Sequence, residues 1–301
     1  MTHIPVLLKE VIEGLNLKPG MVALDGTLGG GGHSKEICKL IGSEGLLIGI
    51  DEDKAAIERA SPSLENVCKS QLFVTNFRNL GTVLDDAGIA KVDVALFDLG
   101  LSSFQLEVSG RGFSFLKDEP LLMTFDEKPI EGRLTAREIV NEWAEESIAD
   151  IIYGYGGERF AKRIARVIVE EREKKPIETT FQLVNIIETA VPAIYKKRRI
   201  HFATKTFQAL RITVNDEMGA IRKGLEDVWS RLNIGGRVAV ISFHELEDRI
   251  VKVFFKNKKE LGGAEIITKK PIVAGEEELS TNARARSAKL RIAKKINEAN
   301  K

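Results

Sequence analysis

Apolar positions in the first hundred residues follow two alternating periods. Short apolar runs at Met21–Asp25, Leu46–Asp51, Gln71–Thr75 and Val92–Asp98 predict strands, and the stretches His33–Ile41, Lys54–Ala60 and Phe77–Ala87 predict helices. This alternation implies an α/β fold with a doubly wound, parallel sheet. Val94-Ala95-Leu96-Phe97 is apolar without alternation, as expected of a strand covered on both faces. The pattern breaks at Gly100, and from there to about Pro129 Gly, Ser, Pro and scattered Phe predict a long loop. Between Leu134 and Val191 only helical periods occur, with Thr135 and Glu138 spaced as a capping box and Thr180 placed to cap a further helix. The α/β pattern resumes after His201. It predicts a long helix over Thr204–Leu232, a helix stop at Gly235, a strand over Arg237–Ser242, a helix near Leu246–Lys256 and a strand over Glu265–Thr268. Lys289 and Arg291 alternate with Leu290 and Ile292, the pattern of an edge strand over Ser287–Ala293. The organisation expected is one core built from residues 1–107 and 204–301, interrupted at 108–203 by a loop and a helical insertion.

Composition narrows the class. The 301 residues are 43% hydrophobic and 30% charged, ordinary for a globular protein with ample core material. No apolar run has the length of a membrane span, and the N-terminus lacks the pattern of an export signal, so a cytoplasmic protein with no membrane partner is expected. Cys38 and Cys68 lack metal-site spacing and are expected to be reduced packing residues. His3, His33, His201 and His244 show no short ligand spacing, so no metal site is expected. A net charge of +1 argues against a protein that coats nucleic acid, while leaving room for a local basic surface.

The strongest local signal is Asp25-Gly26-Thr27-Leu28-Gly29-Gly30-Gly31-Gly32-His33-Ser34, between the first expected strand and helix. Glycines there permit a tight turn and close approach of a ligand to the backbone, and the helix start offers free amides. Asp51, closing the second strand, is placed to accept from ribose hydroxyls. This layout suits a pyrophosphate cofactor and S-adenosylmethionine alike. Asp25-x-x-x-Gly29-x-Gly31 resembles the first motif of class I methyltransferases, with Thr27 in place of one glycine, and a carboxylate at that point disfavours pyrophosphate.

Asp98 ends the fourth strand, where methyltransferases acting on exocyclic amines often carry Asp or Asn before two prolines and an aromatic residue. The prolines are absent here. An acceptor at this point answers a chemical need, because the lone pair of a cytosine amine is delocalised into the ring. Holding its hydrogens favours a tetrahedral nitrogen and stabilises the charge that develops on it.

Seven ordered segments then resemble the bacterial 16S ribosomal RNA cytosine-N4 methyltransferase family. They are His3–Leu7, Asp25–Ser34, Asp98–Gln105, Arg111–Phe115, His201–Ile212, Ile241–Arg249 and Ala283–Arg291, which together run through nearly the whole chain. The resemblance implies a class I methyltransferase, Rossmann-like doubly wound sheet with an inserted all-helical domain. It implies S-adenosylmethionine as cofactor and, as substrate, the decoding-region cytidine conventionally numbered 1402. Carried over residue by residue, Gly31, Gly32, His33, Asp51, Phe77, Asp98 and Gln105 match the family's cofactor-contacting positions. The chain departs from the family at Pro120-Leu121-Leu122-Met123-Thr124, where Asp and Arg usually stand at 122 and 124. It departs also at Gly157, where an acid is usual, and at Glu245, where Ser is.

Ser242 and His244 follow the fifth strand on the rim where α/β sheets place ligands, and with Asp98 they are the catalytic candidates. A buried, hydrogen-bonded role for His244 is the alternative. Phe104, Phe113, Phe115 and Phe243 are candidate stacking surfaces for a flipped base. An RNA surface is expected from clusters around Arg159, Lys162, Arg163 and Arg166, around Lys196–Arg199 including Lys197 and Arg198, and from Lys205 and the segment containing Arg286. The expected partner is 16S ribosomal RNA within the small subunit, and a homodimer is compatible with the sequence. Rival readings are a methyltransferase for another substrate, a non-catalytic S-adenosylmethionine-binding protein that docks on ribosomal RNA, and a nicotinamide oxidoreductase.

Overall fold

The computed structural model describes residues 4–126 and 132–298, so His3 and Pro129 of the sequence motifs lie outside the described residues. The chain divides into two compact units, one formed by Met1–Gly100 with Met218–Lys301 and the other by Leu101–Glu217.

The first unit is built on seven strands: β1 (Val22–Asp25), β2 (Leu46–Asp51), β3 (Lys69–Val74), β4 (Val92–Asp98), β5 (Leu232–Ser242), β6 (Ala264–Ile266) and β7 (Lys289–Lys295). Their order is β3-β2-β1-β4-β5-β7-β6. β1 to β5 pair in parallel, and β7 runs antiparallel to both β5 and β6. Strand order reverses between β1 and β4, and this switch point opens a crevice at the carboxyl ends of the strands. Four strands end there on polar residues, Asp25, Asp51, Asp98 and Ser242. The α/β, class I type of sheet that the sequence predicted is therefore present.

Several local expectations change. The strand at 289–295 is not an edge, since β6 takes that place. Its cations are compatible with an interior position because Arg291 makes two bonds to the Asp248 carboxylate, at 2.6 and 3.1 Å, and Lys295 donates to the carbonyls of Trp229 and Leu232. The long helix expected over 204–232 is two helices, Thr204–Asn215 and Glu217–Arg231, separated by Asp216 at φ +44°. Gly235 does not stop a helix. At φ +87° it lies within β5, where the register against β4 shifts. The neighbouring Gly236 is required too, since a Cβ there would come 2.6 Å from the Asp93 carbonyl oxygen. Cys38 and Cys68 are not separate thiols but form a disulfide, because pairing through β2 brings the helix Gly32–Ile41 and the start of β3 together, with the Cα atoms 5.1 Å apart.

In the second unit the helices Ala136–Glu142, Glu145–Gly154, Ala161–Arg172, Thr180–Ala190 and Thr204–Asn215 surround a core that includes Ile139, Ile152, Ile164, Leu183, Ile187 and Leu210. Thr135 and Glu138 form the expected capping box. The cap of the later helix is Thr179, with Gln182, rather than Thr180. Thr180 instead ties down the preceding loop, donating to the Lys117 carbonyl at 2.5 Å and accepting from the Glu119 amide at 3.0 Å. The segment expected to be all loop contains a short helix, Ser103–Glu107. The helix Thr204–Asn215 buries Phe207, Leu210 and Val214 in this core, so the unit runs to Glu217 rather than to the boundary expected at 203/204.

Candidate functional site

The glycine-rich turn links β1 to the helix Gly32–Ile41. Gly29 and Gly31 take φ of +53° and +74°, a left-handed backbone that a side chain would strain. A Cβ on Gly31 would also meet the Ala60 Cβ at 3.0 Å, a tight contact. Asp25 holds the turn from inside, accepting from the Thr27 amide at 3.1 Å and the Ser34 hydroxyl at 2.6 Å. Asp51 holds it from the side, accepting from the Gly29 amide and the Asp53 amide, both at 2.8 Å. These bonds place a rigid backbone concavity over the carboxyl ends of β1 and β2.

Asp98 completes the rim. Its amide donates to the Thr27 hydroxyl at 2.6 Å, which fastens the end of β4 to the turn. Its carboxylate Oδ1 is buried and has no hydrogen-bond partner among the described residues. Such an atom is costly unless a ligand supplies the partner. The other oxygen lies 3.8 Å from Nδ1 of His33. His33 is buried with Nε2 2.9 Å from the Val6 carbonyl oxygen, which can only accept, so Nε2 carries the hydrogen and Nδ1 faces Asp98.

Burial dominates the electrostatics. It pushes Asp51 and Asp98 up to about 6 and raises Asp25 as well. Hydrogen bonds from the Asp53 and Gly29 amides oppose the shift at Asp51, and the charges of His33 and Arg284 oppose it at Asp98. Three carboxylates held against desolvation around one turn favour a cationic ligand and oppose an anionic one.

Phe77 begins a 3-10 turn after β3. Its ring packs edge-on against Phe97, with centroids 5.5 Å apart, and lies over Gly224, where a Cβ would come 2.6 Å from the ring. Ser242 is buried, with its hydroxyl 3.4 Å from the Lys289 carbonyl oxygen. His244 is the N-cap of the helix Glu245–Glu260: its Nδ1 accepts from the Glu247 amide at 3.5 Å, and the Glu247 carboxylate accepts from the amides of Phe243 and His244. His244 Nε2 is 3.1 Å from Glu247 Oε1, close in distance but poorly aligned for a hydrogen bond. His244 is thus half-buried and caps a helix through Nδ1, while its Nε2 makes no hydrogen bond among the described residues. Phe243 packs on the sheet core, beside Gly100.

The remaining candidates belong to the second unit. Gln105 is buried and its Oε1 accepts from the Ser102 amide at 2.8 Å, closing a capping box. Phe113 stacks on Phe125, and Phe115 stacks on His201 with centroids 4.5 Å apart. Both rings are therefore engaged internally rather than left open as platforms. Arg159 precedes the helix Ala161–Arg172, so it does not share a helical face with Lys162, Arg163 and Arg166 as expected. Its guanidinium lies over Phe160 and Tyr195, and that of Arg198 also lies over the Tyr195 ring, 5.1 Å from its centroid. Arg163 and Lys197 are exposed, and Lys205 donates to the Gly157 carbonyl at 2.7 Å. Arg286, in the first unit, is exposed on the turn Ala283–Ser287. Thr124 is fully buried with its hydroxyl bonded to the Asp126 carbonyl, and the loop around it is pinned by Asn215, which bonds the Met123 carbonyl and the Phe125 amide. Sequence reasoning missed Thr27 and Ser34 as the residues that fix Asp25 and Asp98. Both stand inside the glycine motif, which was the available signal.

Comparison with known proteins adds the following. A family model described as the MraW methylase family matches residues 1–296. The chain is 47% identical over 314 residues to the ribosomal RNA small subunit methyltransferase H of Clostridioides difficile, covering 98% of this chain and 99% of that one. It is 44% identical over 310 residues to the protein of the same name from Brevibacillus brevis, covering 98% of each. A crystal structure of a putative rRNA-methylase from Clostridium thermocellum aligns over 99% of both chains, at 12% identity and a TM-score of 0.46, too distant to bear on fold or function.

Proposed function

Because the chain belongs to the MraW methylase family, we propose that it transfers a methyl group from S-adenosylmethionine to the exocyclic N4 of a cytidine in 16S ribosomal RNA, the position numbered 1402 by family resemblance. The observation that carries this reading is the match over residues 1–296, which includes the acidic glycine turn and the strand-end Asp98 together. The donor set fits the cofactor: three desolvated carboxylates, one with an orphaned buried oxygen, surround a turn in which Gly29 and Gly31 hold a left-handed backbone that side chains disfavour. When bound, S-adenosylmethionine supplies an electrophilic methyl group on a sulfonium.

In this reading Gly31, Gly32, His33 and Asp51 hold the cofactor, together with Phe77 and Gln105. Asp98 has the available acceptor oxygen for the amine hydrogens, and His33 Nδ1, facing it, tunes its charge. Ser242 and His244 line the base side. Arg159, Arg163, Lys197, Arg198, Lys205 and Arg286 approach RNA, the small subunit is the partner, and the protein works in the cytoplasm. Oligomer formation as a homodimer belongs to the same proposal.

The test is transfer of labelled methyl groups to small subunits lacking the modification, with the product nucleoside identified by mass spectrometry. Label in N4-methylcytidine is expected from the wild-type chain. Asp98→Ala should lower the rate at least ~100-fold, the scale of one removed transition-state contact. A second reading, docking without catalysis, is favoured by Leu122 and Thr124 in place of the family's charged pair. Cofactor binding without any label would decide for it.

A further inference from the structure

The helix Glu245–Glu260 presents Lys252, Lys256 and Lys259 on one face, at the i, i+4 and i+7 positions. Together with Lys269, from the chain beyond β6, they line an open groove of about 670 Å³, solvent-facing space included. Its floor is apolar where Phe255 is buried and Ile266 half-buried, and polar at Thr268 and Arg291. All of these residues belong to the unit that carries the glycine turn.

The charge pattern of this groove differs from that of several other helix-borne lysines of the chain. Lys9, Lys39, Lys54, Lys174 and Lys223 each face a carboxylate three or four positions away. In the groove, Lys259 and Lys269 have no ion-pair partner within 4 Å among the described residues, Lys252 shares Asp248 with Arg291 and Lys289, and Lys256 has only the exposed Glu260, at 3.4 Å. Arg291 is already neutralised by Asp248, so the surplus comes from the lysines. The Thr268 hydroxyl accepts from the Ile292 amide at 2.9 Å, which leaves its own hydrogen to donate. Like charges three and four residues apart oppose helix formation. Asp248 and Glu260 border this face but are shared with Arg291, Lys289 and Lys256, and no acid stands among the lining residues. An external polyanion relieves the repulsion and gains affinity by releasing counterions.

We propose that this groove is a second RNA-binding surface, which grips the phosphodiester backbone of the substrate through Lys252, Lys256, Lys259 and Lys269 without reading its bases. The proposal rests on the ribosomal RNA reading above and deepens it. The basic clusters legible in the sequence do not include these four residues. Lysines that meet phosphates as point charges position the RNA, while base recognition is left to the rim of the sheet.

The test uses the full chain with all four lysines changed to glutamine (Lys252→Gln, Lys256→Gln, Lys259→Gln, Lys269→Gln). A control changes Lys9, Lys39, Lys54 and Lys223, each already facing an acid, in the same way. Binding to unmodified small subunits and to a single-stranded oligoribonucleotide is measured from about 50 to 200 mM salt, the range over which phosphate contacts are titrated. For the groove variant, the slope of log affinity against log salt should flatten by about two to three. KM for small subunits should rise about tenfold, with kcat and S-adenosylmethionine affinity unchanged, and the control should behave as wild type. An unchanged slope and KM would overturn the proposal, as would polyglutamate competing as well as RNA at equal ionic strength. Wild-type chain that binds RNA without transferring methyl would remove only the enzymatic reading, since the slope still decides the groove. Wild-type chain that binds no RNA would overturn both.

Discussion

At Asp51 and Asp98 burial opposes ionisation, and the sign of the consequence follows from the direction of the shift. Each carboxyl has a folded value of about 6, above its ordinary 3.8. Their contribution to stability is therefore fully present below about pH 4 and is lost as pH rises through 6, so the unliganded fold carries two disfavoured charges at neutral pH. A sulfonium ligand reverses that penalty. S-adenosylmethionine affinity measured by calorimetry should rise about tenfold from pH 5 to 7 for each carboxylate it engages. S-adenosylhomocysteine, which lacks the sulfonium charge, should show a flatter profile, and Asp98→Asn should remove its share of the slope. Equal profiles for the two ligands would discount the electrostatic account. The glycine turn offers a second check at this scale. Gly31→Ala should cost about 1–2 kcal/mol in urea unfolding because of its left-handed backbone. Gly30→Ala, with no atom near the added Cβ, should cost less than that.

Among the elements, the helix Glu245–Glu260 carries two separable roles at its start. His244 caps it, and the same residue is proposed to line the base side. His244→Ala should lose about 1 kcal/mol of stability, the usual cost of a removed cap. His244→Asn, a good cap, should recover that stability without recovering methyl transfer. Recovery of both in denaturation and transfer assays would reduce His244 to a cap. The interior position of β7 follows the same logic of local compensation: a strand that reads as half polar is accepted between two neighbours because its cations meet Asp248 and two main-chain carbonyls.

For the molecule as a whole, the two units each have their own core, and most of the proposed cofactor residues lie in the unit formed by Met1–Gly100 and Met218–Lys301. Hydrogen exchange followed by mass spectrometry should therefore show a local response to S-adenosylhomocysteine. Amides of Gly26–His33 and Asp51–Asp53 should slow, while those of the helix Glu145–Gly154, in the other unit, should not change. Uniform slowing of both would contradict a site confined to the glycine turn. No described helix is long and apolar enough to cross a membrane.

The sequence by itself determined the α/β class, because apolar period is local: four of the first strands and the capping box at Thr135 follow from residues a few positions apart. It also determined which residues crowd the carboxyl edge of the sheet, since Asp25, Asp51, Asp98 and Ser242 each end a strand. Only the tertiary structure decided what those residues touch. The facing of His33 Nδ1 and Asp98, the disulfide between Cys38 and Cys68, the burial of Lys295 and the approach of Lys269 to the lysines of the helix Glu245–Glu260 depend on strand order and helix packing. Those are contacts between residues distant in the chain, whose free energy depends on desolvation and partners in space, and no local pattern encodes them.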